Sequence, residues 1–457
     1  MPKTMAAVLS ALACVLAVTA ARAAPDAALV QRGRYLATAG DCAACHTAPG
    51  GKPLAGGLQL PTPLGSIVAT NITPSTSHGI GNYSLAQFVD ALRRGIRADG
   101  AHLYPAMPYT AYTKITDEDA RALYAYVMSE VQPVDTSPPR TQLPFPFNLR
   151  VAMLVWNALF LDANRIQGDP SRGADWNRGA YLVNGLAHCG TCHTPRNWLM
   201  AEQGSRLLGG GDVGAWFAPN ITSDANSGIG GWSVPELVGY LRDGHAAGKS
   251  QAAGPMAEAI DASLRHLDEG DLRAIATYLQ SVPALRDAAD TRPTFGWGGP
   301  ADDLAGVRGQ ALPKDLHDMT GPQLFDAWCA TCHQARGQGS FDGGLPSLFH
   351  NAALGRANTN NLVLVIFEGL HRQPDVMMPG FASDLSDQQL ATLASYLTQR
   401  YGNPQARVTT EQVASLRAGG PPSHLVLLAR LAMVAAAVLL VIAVGAWLRH
   451  RRRTHPR

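Results

Sequence analysis

Three copies of one five-residue pattern constrain this chain more than any other feature of its sequence. Cys-x-x-Cys-His occurs at residues 42–46, 189–193 and 329–333, and these pentads hold six of the seven cysteines in 457 residues. A Cys-x-x-Cys pair alone is compatible with a thiol redox centre, half of a zinc site or a disulfide. The histidine after the second cysteine adds a fourth interpretation, the attachment of c-type haem.

The N-terminal segment indicates export from the cytoplasm. Residues 1–24 combine Lys3, an apolar run and a small-residue cleavage site at Ala21-Arg22-Ala23, which together predict a signal peptide. The alternative is an N-terminal membrane anchor, but the apolar run is short for a span. Cleavage would also remove Cys14, the one cysteine outside the pentads.

The C-terminal segment predicts a membrane anchor. Residues 431–448 carry no charge, and the apolar stretch extends back to residue 425, with Arg430 near its outer end. A basic tail over residues 449–457 follows at once. Positive charge stays on the cytoplasmic side, so we expect a single span over 425–448 in the inner membrane and the rest of the mature chain on the periplasmic side.

Export narrows the interpretation of the pentads to haem. Three copies of the full pentad in an exported protein with almost no other cysteine leave little room for zinc sites or disulfides, and they match haem attachment. The net charge of +2 gives no reason to expect nucleic acid as a partner. We predict three covalently attached haem c groups, with thioether bonds to Cys42, Cys45, Cys189, Cys192, Cys329 and Cys332 and iron ligands His46, His193 and His333.

The pentads lie inside longer repeats. "GRYLATAGDCAACHT" at 33–47 matches "GAYLVNGLAHCGTCHT" at 179–194, and "ATNITPSTSHGIG" at 69–81 matches "APNITSDANSGIG" at 218–230. We call these repeats unit one and unit two. A shorter, more divergent unit three extends over about residues 321–401 and lacks the "NIT" segment.

Helix signals recur in each unit and predict a mostly α fold. Serine followed three residues later by Gln or Glu forms a capping box before an apolar stripe at Ser84 with Gln87, Ser233 with Glu236, and Ser386 with Gln389. Two further helix starts are predicted at Thr116 with Asp119 and at Asp268 with Asp271. We predict three tandem domains over 25–137, 171–290 and 316–404, joined by linkers 138–170 and 291–315.

The second axial position of each iron has a methionine candidate. Met107, Met256 and Met378 each lie between the pentad and the last helix of their unit, with a proline adjacent, and a methionine ligand is typical of an electron carrier. Met378 is preferred to Met377 because Met378-Pro379 parallels Met107-Pro108. Competing ligands are His102, His245 and His371, which we interpret as surface histidines or as contacts of the haem propionates.

These residues make the chain similar to a known family. The three pentads, "TNITP", "GIG", "LYPAMPY" and "ALYAYV" resemble the triheme cytochrome c subunit of membrane-bound dehydrogenases, which serves quinoprotein alcohol dehydrogenase and the flavin-dependent gluconate, sorbitol and fructose dehydrogenases. The resemblance covers nearly the whole mature chain and implies three domains similar to class I cytochromes c. It also implies the cysteine, histidine and methionine roles given above.

The resemblance implies a role and partners as well. Electrons would pass from a dehydrogenase catalytic subunit through the haems to ubiquinone. That catalytic subunit would be a quinoprotein, flavoprotein or molybdoprotein that oxidises an alcohol, aldehyde, sugar or sugar acid. A small third subunit is a further candidate partner. The chain itself would carry out no substrate chemistry, because it only positions redox centres.

Two rival functions and two structural hypotheses stay open at this point. The rivals are a cytochrome component of a terminal oxidase and a haem peroxidase, which would need one iron with an open sixth site. Residues 144–161 are either a docking or membrane-surface segment or a buried linker. Finally, Tyr35 is expected to pack on Tyr124 or Tyr126, and Tyr181 on Tyr278.

Overall fold

The computed structural model describes residues 26–341, 344–372 and 376–454. Helices account for 45% of the structure and strands for 7%, so the prediction of a mostly α fold is confirmed. The predicted signal peptide, with Cys14, lies outside the described residues, as do residues 455–457 of the basic tail.

Each unit contains a pentad helix between a first and a last long helix. Unit one comprises α1 Ala27–Ala39, α2 Cys42–His46, β1 Gln59–Thr62, β2 Gly65–Val68, α3 Leu85–Arg94, α4 Tyr109–Tyr112 and α5 Asp117–Ser129. The segment that follows it contains α6 Ala152–Phe160. Unit two comprises α7 Ala174–Tyr181 with a π-helical turn Leu182–Leu186, α8 Gly190–His193, β3 Gly211–Val213, β4 Trp216–Ala218, α9 Val234–Asp243, β5 His245–Ala246, β6 Ser250–Gln251, α10 Gly254–Ala262 and α11 Glu269–Leu279.

The third unit has two strands, as unit one does, but they lie directly before its last helix. It comprises α12 Gly321–Trp328, α13 Ala330–His333, α14 Ala352–Gly355, α15 Asn360–Glu368, β7 Leu370–Arg372, β8 Val376–Met378 and α16 Asp387–Tyr401. After it come α17 Thr410–Arg417 and α18 Leu425–Thr454. Short 3₁₀ turns lie at Gly204–Arg206, Leu264–His266, Leu304–Gly306 and Leu316–Asp318. Within the described ranges the strands form four two-stranded antiparallel sheets.

The first and last helices of every unit cross at a glycine. A Cβ added at Gly33 or Gly179 would lie 1.9 or 2.0 Å from a backbone carbonyl oxygen of the partner helix. At the equivalent Gly321 it would lie 2.4 Å from the Cβ of Tyr396. No side chain fits at these distances, so glycine is required here by the close approach of two helices.

The predicted capping boxes are confirmed at Ser84, Ser233 and Ser386, where the serine and the third helical residue bond each other's backbone N–H. Thr116 also caps α5 as predicted, through the N–H of Asp119. The helix start predicted at Asp268 is confirmed, since Asp268 occupies the N-cap position of α11, but its side chain makes no capping bond.

The buried residues form a shared core for units one and two and a separate core for unit three. Leu36 and Leu123 of unit one belong to the same cluster as Leu182 and Ile275 of unit two. The second large cluster takes its buried residues from unit three, the linker before it and the following α17, with only Ala215 and Trp216 among the described residues of unit two packed against it. The first two repeats are therefore packed as one body, although the sequence predicts them as separate domains.

Two tyrosines join units one and two in a reciprocal manner. The Tyr35 hydroxyl donates to Asp271 Oδ2 at 2.6 Å, and the Tyr181 hydroxyl donates to Asp119 Oδ2. Arg178 and Arg32 of the same units hold these carboxylates from the other side, each at an N–O distance below 3 Å.

These bonds replace the aromatic pairs that the sequence suggested. Among the ring contacts of the described residues, Tyr124 pairs with Phe88 and Tyr278 with Trp176, and neither Tyr35 nor Tyr181 has a tyrosine partner. The tyrosine side chains of the first helices reach across to the neighbouring unit, where Asp271 accepts from Tyr35 and Asp119 accepts from Tyr181.

Unit three is attached to unit two through a buried arginine. Arg372 of β7 is 7% exposed and donates to Asp261 Oδ1 at 2.7 Å and to the carbonyl oxygen of Asp243 at 2.6 Å. Asp261 lies on α10, the helix that also carries Met256. The hairpin that carries Met378 is thus held against the helix that carries the methionine of unit two.

The helix α18 is long and apolar enough to cross a membrane. The qualifying stretch is Leu425–Arg451, and none of its most apolar window is buried inside the protein. Near its beginning, Arg430 Nε donates to the carbonyl oxygen of Phe145 at 3.0 Å, which connects the helix to the segment before α6.

Candidate haem sites

Each pentad forms a short helical turn that presents both cysteines together. Residues three apart on a helix lie on the same face, so the two thiols of each pentad point in one direction. The six cysteines are free, and none forms a disulfide. This arrangement suits two thioether bonds to one planar group, and it removes the disulfide interpretation for the described residues.

Burial disfavours the thiolate form of five pentad cysteines, unlike in a thiol redox centre, whereas Cys332 is exposed. Burial raises the pKa of Cys42, Cys189 and Cys329 to about 12 and that of Cys45 to about 11. Reactive Cys-x-x-Cys centres instead have lowered thiol pKa values, because the thiolate is the nucleophile. The environment of the pentads therefore disfavours redox chemistry at sulfur.

The three pentad histidines are oriented in the same way. The Nδ1 atoms of His46, His193 and His333 donate to the carbonyl oxygens of Thr70, Pro219 and Pro346 at 2.7, 2.6 and 3.0 Å. A carbonyl only accepts, so Nδ1 carries the proton and Nε2 keeps its lone pair. Burial lowers the pKa of all three rings, which keeps them neutral and ready to bind a metal through Nε2.

The "NIT" segments explain how units one and two position that carbonyl group. Asn71 Oδ1 accepts from the N–H of Thr73, and Asn71 Nδ2 donates to the carbonyl oxygen of Val134 at 2.7 Å. Asn220 makes the corresponding bonds to Thr222 and Leu285. Each asparagine thus ties the loop after the first strand pair to the chain that follows the last helix.

Unit three reaches the same result with a different sequence. It lacks "NIT", yet Pro346 supplies the carbonyl group that His333 requires. Sequence comparison alone missed this residue because the function belongs to the backbone, and a backbone carbonyl leaves no side-chain signature.

The structure separates Met378 from Met377. In the β7–β8 hairpin, Leu370 is opposite Met378 and His371 is opposite Met377, so the two pairs point to opposite faces. The Met377 side chain is 73% exposed and His371 is exposed, whereas Met378 is half-buried. This geometry favours Met378 as the ligand, and the assignment stays a prediction.

The other two methionines are half-buried against the shared core. Met107 follows the turn at Tyr104, and Met256 lies in the first turn of α10 rather than in a loop. Of the competing histidines, His245 Nδ1 is engaged by Gln251 at 2.9 Å, and His102 has a buried Nδ1 without a hydrogen-bond partner among the described residues. Met107 and Met256 stay predicted ligands.

The surroundings of the first pentad fit a large planar cofactor. Cys42, His46 and Met107 line one cavity of about 3070 Å³, together with apolar side chains such as Leu54 and Phe88. Among the described residues, no group of three or more His, Cys, Asp or Glu side chains comes together as a metal site. One imidazole per pentad in an apolar cavity matches a metal held within a porphyrin rather than by protein ligands alone.

Comparison with known proteins agrees with this geometry. A cytochrome c family model matches residues 30–130 and 319–400. The chain is 49% identical over 408 residues to the fructose dehydrogenase cytochrome subunit of Gluconobacter japonicus, which covers 86% of this chain and 83% of that protein. It is 37% identical over 412 residues to the cytochrome c subunit of alcohol dehydrogenase (quinone) from Gluconobacter oxydans, with 87% and 84% covered. This chain belongs to the family of dehydrogenase cytochrome c subunits.

The gluconate 2-dehydrogenase cytochrome c subunit of Pantoea cypripedii is a further relative, 38% identical over 411 residues, with 85% of this chain and 90% of that protein covered. For a cytochrome c subunit, the pentads imply covalently bound haem c. When bound, haem c supplies an iron that is reduced and oxidised by one electron at a time. The protein contributes fixed positions, burial and neighbouring charges.

The first two pentads of this cytochrome subunit lie next to each other. Cys45 and Cys192 are close enough to influence each other electrostatically, and α10 of unit two packs on α2 of unit one. Asp41, directly before the first pentad, has a buried carboxylate oxygen without a partner among the described residues. Burial, and then the charge of Glu258, raise the pKa of Asp41 to about 7.

Proposed function

We propose that this chain is a membrane-anchored triheme cytochrome c that carries electrons from a periplasmic dehydrogenase catalytic subunit to ubiquinone. The observation that carries the proposal is the threefold repetition of one site, in which a Cys-x-x-Cys-His turn has its histidine Nδ1 bonded to a backbone carbonyl. The family membership and the apolar helix α18 support the partner and the anchor.

The residues of the three sites are suited to an electron carrier. Each histidine is held neutral with Nε2 free, each unit offers one half-buried methionine for the opposite side, and the thiols are consumed in attachment. We infer that the cofactors are His–Met ligated at His46 and Met107, His193 and Met256, and His333 and Met378. Ligation on both sides leaves no open position for peroxide.

The number of haems is tested by quantitative haem assay on the full-length chain matured in an exporting host. We expect three haems per chain, and two in each variant that lacks one pair of pentad cysteines. A ratio of two in the unaltered chain would contradict the triheme proposal.

The methionine ligands are tested with Met107→Ala and Met256→Ala. In each variant, loss of the weak near-infrared sulfur-to-iron band of one haem would support the assignment of that methionine as a ligand. An unchanged band would contradict that assignment.

The partner is tested by purification of the complex from membranes of the native host. A co-purifying flavin, quinoprotein or molybdenum dehydrogenase would support the proposal, and a copper–haem oxidase would contradict it.

Removal of α18 by truncation after His424 should release the cytochrome from the membrane, with its haem content unchanged. Peroxide-dependent turnover by the isolated chain would contradict an electron-carrier role.

A further inference from the structure

The segment over residues 144–160 joins the methionine loop of unit one to the start of the apolar helix α18. The Tyr104 hydroxyl donates to the carbonyl oxygen of Phe147, and the Tyr109 hydroxyl donates to Asn157 Oδ1, each at 2.8 Å. Tyr104 and Tyr109 flank Met107. At the other end of the segment, Phe145 accepts the bond from Arg430.

The helix within this segment, α6, exposes an unusual amount of apolar surface. Leu154, Val155 and Leu159 are 53–64% exposed, and Trp198 of unit two is 78% exposed nearby. Val155, Leu159 and Trp198 line the same cavity as His46 and Met107, and so do Leu425 and Leu428 of α18. The cavity therefore runs from the first pentad along α6 to the outer end of the helix that is fit to cross a membrane.

One cation lies within this apolar surface. Arg150 is half-buried and lines the cavity, with its guanidinium 4.5 Å from the ring centre of Tyr104 and bonded to the carbonyl oxygen of His102 at 2.7 Å. A guanidinium has five N–H donors, so this group retains donors for a further acceptor. A ligand that is mostly apolar, flat and equipped with carbonyl oxygens fits these walls.

We propose that the isoprenoid benzoquinone acceptor binds here, between α6, Trp198 and the start of α18, with a ring carbonyl oxygen at Arg150. The inference rests on the proposed function. It adds the site at which electrons leave the cytochrome for the quinone, which lies next to Met107 in unit one. The apolar tail lies along Val155 and Leu159 towards the membrane. Reduction of one quinone to a quinol takes two electrons, delivered one at a time as haem iron goes from ferrous to ferric, and two protons from water. Electrons and protons therefore balance.

The test uses the full-length holo-cytochrome in lipid nanodiscs, reduced chemically and mixed with ubiquinone-2 in a stopped-flow spectrometer. Val155→Trp fills the cavity wall, whereas Leu154→Trp adds the same side chain to an exposed position of α6 that does not line the cavity. We expect haem oxidation by ubiquinone-2 to slow at least tenfold in Val155→Trp and less than twofold in Leu154→Trp. Oxidation by ferricyanide should be unchanged in both.

The outcomes test the location of the quinone site separately from the proposed role of ubiquinone as the electron acceptor. Equal rates in Val155→Trp and the unaltered chain would overturn the site, and so would equal slowing by both variants, which would make α6 a contact for lipid or a partner only. If the unaltered chain is not oxidised by ubiquinone-2 at all, ubiquinone is not the acceptor and the proposed function fails in that respect. Loss of the Arg150 donor in Arg150→Leu should raise the quinone concentration needed for half-maximal rate.

A second, independent observation concerns Arg356, which follows α14 in unit three but reaches into unit two. The helix α14 docks on unit two through the bond from the Ala352 N–H to the carbonyl oxygen of Lys249 at 2.8 Å. Arg356 lines the cavity together with Cys192 and Asn220 of unit two. Its hydrogen bond to the Ser227 carbonyl oxygen is long, at 3.4 Å.

This guanidinium lacks an anionic partner at contact distance. Arg356 forms no salt bridge among the described residues, since Asp290 acts on its charge only from beyond contact distance, and burial lowers the pKa of Arg356. A buried cation is retained when an anion compensates it. The anions that accompany a haem beside His193 are its two propionates.

We infer that Arg356 binds a propionate of the haem in unit two, so that this site is completed by unit three. Spectroelectrochemical titration of the full-length chain tests the inference without any measurement of activity. Arg356→Gln should shift the potential of one haem downwards, since loss of a nearby cation favours the ferric state, and Arg356→Lys should restore much of it. Arg292→Gln removes a nearby charge that does not line the cavity and is the matched control. Unchanged potentials in Arg356→Gln, or an equal shift in the control, would overturn the assignment.

Discussion

Units one and two differ from unit three in how they meet their neighbours. The first two repeats share one hydrophobic core and exchange tyrosine–carboxylate bonds, whereas unit three has its own core and is attached by the buried Arg372 and by α14. The difference begins at one position. Two residues after the crossing glycine, units one and two have Tyr35 and Tyr181, but unit three has Gln323, which caps its own helix instead.

The comparison teaches that sequence repeats do not become independent domains automatically. A tyrosine that reaches outwards joins two units, and a glutamine that bonds its own helix N-terminus leaves the third unit separate. Both arrangements keep the pentad and its carbonyl acceptor unchanged. Assembly of the units can therefore differ while each cofactor site stays the same.

The largest expected effect comes from removing a whole site. In Cys42→Ala/Cys45→Ala, unit one loses its cofactor, and because the core is shared we expect both unit one and unit two to become sensitive to protease. In Cys329→Ala/Cys332→Ala, units one and two should stay resistant and retain two haems. Limited proteolysis followed by haem staining of the fragments measures this. Equal resistance of unit two in both variants would refute the shared body.

A smaller effect is expected at the junction of units two and three. Asp261→Asn leaves the buried Arg372 without its counter-charge, which should lower the free energy of unfolding by about 3–5 kcal/mol. The exposed pair of Arg308 and Asp326 is the control, and Asp326→Asn should cost less than about 1 kcal/mol. Guanidinium chloride unfolding, followed by tryptophan fluorescence, compares the two. Equal midpoints would show that Arg372 does not hold the units together.

The reciprocal bonds between units one and two should each contribute less than that. Tyr35→Phe and Tyr181→Phe remove a bond to a carboxylate, and we expect each to cost about 1.5–3 kcal/mol. Tyr124→Phe removes a bond to the Tyr83 carbonyl oxygen within unit one and should cost about 0.5–1.5 kcal/mol. The same unfolding assay applies. A larger loss in Tyr124→Phe than in Tyr35→Phe would contradict the interface.

The smallest effect is a pH dependence confined to the first pair of units. The pKa of Asp41 is raised to about 7, so its protonated form favours the folded state, and that contribution is lost as pH rises through about 7. The ionised carboxylate also favours ferric iron, so the potential of the adjacent haem should fall over the same range. Redox titration of Asp41→Asn should show a flatter profile. Unit three has Trp328 at this position, and its haem serves as the internal control.

Much of each site could be predicted from local sequence. A pentad specifies both thiols and the imidazole within five residues, and capping boxes such as Ser84 with Gln87 act over a single helical turn. Gly33 and Gly179, at which the first and last helices cross, were visible in the sequence only as matching positions of the repeat. The carbonyl acceptor Pro346 had none, and the role of Asp271 was misjudged because its partners lie 93 and 236 residues away.

The sequence by itself determined that this is a mostly helical chain with three Cys-x-x-Cys-His turns and an apolar C-terminal helix, because those features are periodic or contiguous. Only the tertiary structure decided that units one and two form one body, that Met378 rather than Met377 faces inwards, and that residues 144–160 meet α18. The physical reason is that these outcomes depend on contacts between distant residues and on backbone atoms, which every residue type provides alike.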